Sequence, residues 1–421
     1  MAAKRSRRVL VVISVLVVLF MLPLGVWGFR DESLHSIGPF GRVRLAEEAH
    51  GDGVSGLSAS AELLATARAV AKLRTKEGRS LLELSSLAGE ENLSAFAAHS
   101  QLDDLSRQLQ HALAELPPVR SRQDRFGSSV SFRPLLNVTK ILVLQIRTQL
   151  RAGLPEQAWA TVELVQSLVA ASYQRTSSLL QLAALHSSQA ALVAEIVDGA
   201  DRGLWPERQQ ESMLTWQPSS AVSDGLRVAI LSEYGLTKKA ITGELQGYGA
   251  VIGSYVYHPN RTANIWRRSL GKAMAGLESD SLAQAYRDVV AYDGIVSDVD
   301  MLLGRNGLGI RYSALGLTAC DVAMANAIQA AVRERIIPLR AAFALFRQRK
   351  GRWPQSLENL QEEYPQVSVS DPWSVAGQAL HFDVVKRQVY SLGFNRRDDG
   401  GVTENFGAVG ATDDYGIVLP P

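Results

Sequence analysis

Apolar residues follow three patterns along the chain. An uninterrupted apolar run lies near the N-terminus, apolar positions at helical spacing fill most of the remaining chain, and strand-like alternation begins only in its last tenth. This order predicts a mainly α protein with a small α+β module at its C-terminal end. We place an N-terminal segment at 1–30, a loose stalk at 31–57, a helical domain at 58–320 and the α+β module at 321–421.

The N-terminal apolar run has the length of a membrane-spanning helix. Val9–Phe29 carries no charge over 21 residues, and a helix of that length crosses about 30 Å of hydrocarbon. Bases in Lys4–Arg8 precede the run and Asp31 comes after it, so we predict a single-pass transmembrane anchor whose N-terminus stays in the cytoplasm. A signal peptide cleaved after Gly28 is the alternative.

Helical spacing dominates from about Ser58 onwards. One apolar stripe, made of Leu102, Leu105, Leu109 and Leu113, ends at Pro117-Pro118. Residues 118–134 are predicted to be a connecting loop.

A helical hairpin is predicted over residues 135–200, since Gly153-Leu154-Pro155 separates two apolar-periodic segments. Small residues such as Ala158 allow the two helices to approach closely, and the pair resembles a tetratricopeptide-like unit. A third helix is predicted from Ser178 to Val197, with Gln189 interrupting its apolar face.

The last hundred residues predict a long helix, a short helix and a β-hairpin. The long helix covers 321–350, with a kink or break expected at Pro338, and ends at Gly351. A short helix begins after Pro354. Residues 380–392 then alternate like two strands around Lys386-Arg387.

Four motifs punctuate this module: Gly351-Arg352-Trp353-Pro354, Asp371-Pro372-Trp373, Val389-Tyr390-Ser391-Leu392-Gly393 and Asp398-Asp399-Gly400-Gly401. Their order resembles the globular head of a type II secretion major pseudopilin. The whole layout is similar to a set of uncharacterised, membrane-anchored, exported bacterial proteins. This resemblance implies a bacterial inner-membrane protein with most of its chain in the periplasm. The glycine–Phe-Thr-x-x-Glu processing motif of pseudopilins does not precede the apolar run, which argues against assembly as a pilus subunit.

The pseudopilin resemblance also implies a calcium loop after the last strand. Calcium takes six to eight oxygen ligands, which carboxylates and backbone carbonyls supply. The alternative is that the two Asp-Asp pairs form solvated turns. The matching positions are the carbonyl oxygen of Leu392 and the side chains of Asn395, Asp398, Asp399, Asp413 and Asp414.

Charge and cysteine content exclude several classes of function. Residues 1–30 hold five bases and no acid, which leaves 39 bases against 42 acids in the remainder. No basic face for nucleic acid is therefore expected. Cys320, the single cysteine, permits no disulfide within the chain and is predicted to be a buried apolar residue.

The sequence carries no HExxH, GxSxG or P-loop motif. We therefore predict a non-enzymatic envelope scaffold or adaptor that binds a protein partner, with a calcium-stabilised tail. An accessory component of a type II secretion or pilus-like system is one alternative. An exported hydrolase with a groove between helical domain and tail is another, and its acids to examine would be Glu233, Asp293, Asp298 and Asp300.

Overall fold

The protein is mainly helical and carries one small antiparallel sheet, as the sequence predicts. The computed structural model describes residues 56–73, 100–116, 129–176, 178–216, 221–239, 259–278, 282–293, 307–393, 395–401 and 415–419. The predicted anchor and nearly all of the predicted stalk lie outside these residues.

Helices account for most of the described chain. They are α1 Gly56–Ala71, α2 Ser100–Ala114, α3 Ser129–Arg151, α4 Pro155–Arg175, α5 Leu179–Asp201, α6 Glu207–Leu214, α7 Ala221–Lys239, α8 Pro259–Glu278, α9 Leu282–Asp293, α10 Gly307–Lys350 and α11 Leu357–Glu363. The strands are β1 His381–Asp383, β2 Gln388–Ser391 and β3 Tyr415–Val418.

The chain divides into two compact units. The larger one takes its described residues from 50–230, 276–286 and 322–421, and the smaller one from 231–275 and 287–321. Within the smaller unit, Trp266 and Leu270 are buried on α8. Cys320, on α10, is also buried and has no disulfide, as predicted.

The hairpin of α3 and α4 forms the centre of the larger unit, where α3 also packs against α1 and α5. Gly153 adopts a φ of 72°, a left-handed conformation that a glycine reaches without a Cβ penalty, and Pro155 begins α4. The turn is the one that Gly-Leu-Pro predicts. The Arg147 side chain of α3 donates to the Glu195 carboxylate of α5, with Nε–Oε2 at 3.0 Å, which joins these two helices.

The predicted connector at 118–134 is wrong over its last residues, because α3 already begins at Ser129. Pro134 lies in the second turn of this helix, close to the N-terminal end. Proline at this position removes the N–H group that would donate to the carbonyl of Val130, so the helix forms here despite the loss of one internal hydrogen bond.

Helix α10 runs without interruption through Pro338, so the expected break is absent. From Ala323 onwards most of its side chains are buried, and Ile337 and Leu339, on either side of the proline, are both fully covered. Packing on several sides holds the helix together at a position where proline alone would favour a kink. Gly351, with a φ of 69°, then ends the helix as predicted.

The sheet has the order β1-β2-β3 with antiparallel pairing throughout. The predicted hairpin is confirmed, and His381 pairs with Tyr390. The sequence pattern predicts no strand at β3, Tyr415–Val418. The expected calcium loop extends instead into this segment. Val389 pairs with Ile417, which is buried. Gly416 lets β3 approach β2 this closely, since a Cβ there would meet the Val389 carbonyl oxygen at 1.9 Å.

Candidate functional site

The Asp-Pro-Trp motif is an anchor for the sheet. The buried Asp371 carboxylate accepts from Ser391 Oγ at 2.8 Å and from the Trp373 backbone N–H at 2.9 Å. Burial raises the pKa of Asp371 while these hydrogen bonds lower it. The Trp373 ring packs edge-on against Tyr286 of α9, with centroids 5.3 Å apart. Two motifs of the pseudopilin resemblance therefore meet at the base of the predicted calcium loop.

The first half of that loop is organised by its own side chains. Asp398 Oδ1 accepts from Tyr390 Oη at 3.1 Å and from the Gly400 N–H at 3.0 Å. The Gly400 hydrogen bond, with that of Tyr390 and nearby His381, lowers the pKa of Asp398. Asn395 Nδ2 donates to Asp399 Oδ2 at 2.7 Å. These contacts are those of tight turns.

The rest of the predicted ligand set is not brought together by the described residues. Leu392 comes directly after β2 and is half-buried. Asp413 and Asp414 lie outside the described part of the chain, and within that part no group of three acidic, histidine or cysteine side chains is placed to hold a metal. The calcium site stays a prediction.

The acids of the hydrolase alternative are only partly placed. Glu233 lies in α7 and Asp293 is the last residue of α9. Asp298 and Asp300 lie outside the described residues. The groove with converging acids stays a prediction.

A pocket of about 370 Å³ opens within the larger unit, where the ends of α5 and α10 meet the last strand. Its walls mix apolar and charged groups drawn from positions more than 200 residues apart in the chain. They are Ala200, Asp201, Gly203, Gln210, Arg340, Phe343, Ala344, Arg347, Gln348, Trp353 and Leu419.

Arg340 links the three elements around this pocket. Its side chain is only 3% exposed and forms an ion pair with Asp201 at the end of α5. Its Nη1 also donates to the Val418 carbonyl at 2.9 Å. Leu419 N donates to Arg387 O, so the neighbouring Val418 carbonyl points to the outer edge of β3, where Arg340 satisfies it. Burial lowers the pKa of Arg340 to about 10, and the guanidinium stays charged at neutral pH.

Two further guanidinium groups flank the Trp353 indole. Arg347 lies with its Cζ 4.9 Å from the ring centroid and Arg387 with its Cζ 5.8 Å away. Such distances allow cation–π attraction. Arg387 adopts a φ of 55°, a left-handed conformation that is unfavourable for a residue with a Cβ. The hairpin thus accepts backbone strain at the residue that brings a second positive charge to this tryptophan.

The next arginine along α10 faces elsewhere. Arg349 Nη2 lies 3.0 Å from Glu207 and 2.7 Å from Glu211, both on α6. It does not line the pocket. Hydrogen bonding to Glu207 is the main cause that raises the pKa of Arg349. Arg349 therefore offers a matched control for Arg347.

A separate polar network is buried between α4, α5 and α10. Tyr173 Oη lies 2.8 Å from Gln189 Oε1, and Gln189 Nε2 donates to the Glu334 carboxylate. His186 packs against the Tyr173 ring at 5.6 Å, and neither of its ring nitrogens has a hydrogen-bond partner among the described residues. Burial, with the nearby charge of Arg333, lowers the pKa of His186 to about 3. Gln189, the polar residue that interrupts the predicted apolar face of α5, is thus buried.

The sequence did not point to the pocket. The spacing of apolar residues on the helices that carry Asp201, Arg340 and Arg347 predicts burial and no binding site. Arg387 lies in a predicted turn. A weak signal was present in the Gly-Arg-Trp-Pro motif, because Trp353 lies at the pocket. The contact with α5 could not be foreseen from local patterns.

One described helix, α5, is long and apolar enough to cross a membrane, and 56% of its most apolar window is buried inside the protein. That burial is typical of a core helix as well. The chain matches no protein-family model, no curated protein and no solved structure.

Proposed function

We propose that this protein is a membrane-anchored scaffold of the bacterial envelope that binds a protein partner at the Arg340–Trp353 pocket. The apolar run Val9–Phe29, with bases before it and an acid after it, supports the anchor and the export of the remainder. The resemblance of the C-terminal module to a pseudopilin head supports the bacterial envelope.

The pocket is the observation that carries the proposal. Pockets that bind ligands are mostly apolar clefts with a few placed polar groups, and they begin at roughly 300 Å³. Here Phe343, Ala344 and Leu419 supply apolar wall, while Asp201 and the arginines supply charge. The lining joins the helical hairpins to the β-module, so a partner held there would contact both parts.

The tail supports a second element of the proposal, a calcium ion that stiffens the segment between β2 and β3. Asp398 and Asp399 are solvent-exposed and already held in turns, and the segment returns to the sheet at Tyr415. Asp413 and Asp414 directly precede that return. An ion bound by both acid pairs would close the loop. Docking of this tail onto pseudopilins would make the protein an accessory component of a secretion system.

A photo-crosslinking amino acid placed at Gln348 in the full-length protein, expressed in its own host, tests the partner site. We expect a discrete adduct from position 348 and none from the exposed Gln174 of α4, which lies outside the pocket lining. Ala344→Leu, which fills the pocket, should abolish the adduct. The same adducts from positions 348 and 174, or none from 348, would contradict the proposal.

The anchor has its own test. We expect the full-length chain to remain in the membrane fraction after alkaline extraction, and a reporter enzyme fused to the C-terminus to be active only outside the cytoplasm. Release of the chain by alkaline extraction would instead support a cleaved signal peptide.

A further inference from the structure

We propose that Arg335 of α10, together with Ser368 and Ser370, binds a phosphate group at a site separate from the pocket. None of these three residues belongs to the pocket lining. The inference therefore goes beyond the proposed function and does not depend on it.

The two serine hydroxyls are held side by side next to the arginine. An antiparallel bridge to Ala379 places Ser370 on an extended segment. Side chains two positions apart on such a segment point to the same side, so Ser368 and Ser370 face the same way. Arg335 Nη1 donates to both hydroxyls, with the Ser370 Oγ at 2.8 Å, and the two Oγ atoms lie 3.1 Å apart.

This cluster has more hydrogen-bond donors than acceptors. One serine hydroxyl donates to the other, which leaves one O–H without an acceptor in the part of the chain that the structure describes. Arg335 Nε is buried and has no hydrogen-bond partner, and no described residue accepts from Arg335 Nη2. Polar groups at such a place require an acceptor from outside the chain.

The charge of Arg335 is only partly compensated by the protein. Among the described residues it forms no ion pair. Burial, the larger effect, lowers the pKa of Arg335, and the nearby carboxylates of Asp371 and Glu334 raise it. The Asp371 carboxylate already accepts from Ser391 and from the Trp373 N–H. An anion in direct contact would offset the cost of burying this guanidinium.

The remaining donors fit a phosphate better than a carboxylate. A guanidinium binds a carboxylate with two N–H groups along one edge. At Arg335 the Nη1 hydrogens are directed at the serines and Nε is buried, so no complete edge is open. Nη2 and a serine O–H are donors on different groups, which suits the several oxygens of a tetrahedral phosphate. Ser368 is exposed and Arg335 is half-buried, so such a ligand reaches them from solvent.

The experiment is isothermal titration of the purified full-length protein in a non-ionic detergent, in buffer without phosphate or sulfate. The probes are inorganic phosphate, glycerophosphoglycerol, which is the headgroup of an anionic phospholipid, and acetate. We expect at least one of the two phosphate probes to bind about tenfold or more tightly than acetate, because several charge-assisted hydrogen bonds form at once.

The two phosphate probes distinguish the sources of the group. Tighter binding of glycerophosphoglycerol supports the proposal with a lipid headgroup as the ligand. Tighter binding of inorganic phosphate supports it with a small soluble ligand.

Two variants and one control locate the site. Arg335→Gln should weaken phosphate binding by about tenfold. The double variant Ser368→Ala/Ser370→Ala keeps the charge but removes both hydroxyls, and a loss of about the same size is expected; it also decides the question if Arg335→Gln does not fold. Arg349→Gln, an exposed and carboxylate-paired arginine of the same helix, should have no effect. Phosphate should likewise raise the Tm of the unmodified protein and of Arg349→Gln, but not that of the other two variants.

Several results would overturn the inference. They are no binding of either phosphate probe at millimolar concentration, binding of acetate as tight as that of phosphate, and an equal loss in Arg349→Gln. Undiminished binding in Arg335→Gln or in the double serine variant would do the same. The adduct from position 348 is independent of all these results, because it tests the pocket alone.

Discussion

The hairpins of α3–α5 and the module after Gly351 are held together in different ways. In the hairpins, long helices bury apolar stripes, and polar groups such as Gln189 are enclosed among them. After Gly351 the strands are three or four residues long, and single side chains tie the turns together. Asp371 joins two loops through its hydrogen bonds, and Arg340 donates a hydrogen bond to a carbonyl at the edge of a strand. Distributed packing therefore supports the first region, whereas a few polar anchors support the second.

The largest effect should come from acidification of the hairpin core. The pKa of His186 is about 3 in the folded protein, below its ordinary value of 6.5, so the unfolded chain binds more protons between these values. Stability is fully present above pH 6.5 and falls with pH, at up to about 1.4 kcal/mol per pH unit from this group. Urea unfolding of the full chain from pH 7.5 to 4.5 measures it.

His186→Leu is the matching variant. Leucine has a similar volume and carries no proton, so we expect unchanged or higher stability at pH 7.5 and a shallower decline below pH 6.5. An unchanged pH dependence in this variant would show that other groups control acid unfolding.

Gln189→Leu should be the next largest change, because it removes the donor to the buried Glu334 carboxylate and the partner of Tyr173. We expect a loss of about 2–3 kcal/mol in the free energy of unfolding, as for a hydrogen bond to a buried charge. Gln174→Leu, the same change at an exposed site of α4, should stay within about 0.5 kcal/mol. Equal effects at both positions would contradict the importance of the network.

Asp371→Ala should weaken the β-module and spare the hairpins. Ser391 and the Trp373 N–H lose their acceptor, and we expect a local loss of about 1–3 kcal/mol. Hydrogen exchange should accelerate in β2 and leave α3–α5 protected. Glu362→Ala, at an exposed site of α11, is the control. Uniformly faster exchange throughout the larger unit would mean that the two regions unfold as one.

The smallest expected effect is that of calcium. If the loop binds the ion, calcium at ten times its Kd stabilises the protein by about 1.4 kcal/mol, and a chelator reverses the rise in Tm. Asp398→Ala and Asp413→Ala should abolish the response, and Asp383→Ala, at the end of β1, should retain it. A Tm that is insensitive to millimolar calcium would leave the aspartates as turn residues.

The difference between the two regions also sets what could be predicted. Leu102, Leu109 and the Gly153-Leu154-Pro155 turn were placed correctly because helix spacing and capping depend on neighbours a few residues away. Strand β3 was missed because four residues carry too little pattern, and its stability comes from pairing with β2. Continuity through Pro338 was likewise set by packing on several sides of α10.

The helical class, the main turns, the hairpin of β1 and β2 and the apolar N-terminal run can be read from the sequence alone, because each depends on local periodicity or backbone preference. Tertiary packing was needed to bring Asp201, Arg340 and Trp353 into one pocket, to tie Ser391 to Trp373 through Asp371, and to bury Gln189 against Glu334. The direct contacts Asp371–Ser391, Asp201–Arg340 and Gln189–Glu334 join residues that are 20, 139 and 145 positions apart in the chain. No local pattern specifies such pairs, because their free energy arises only once the elements have packed together.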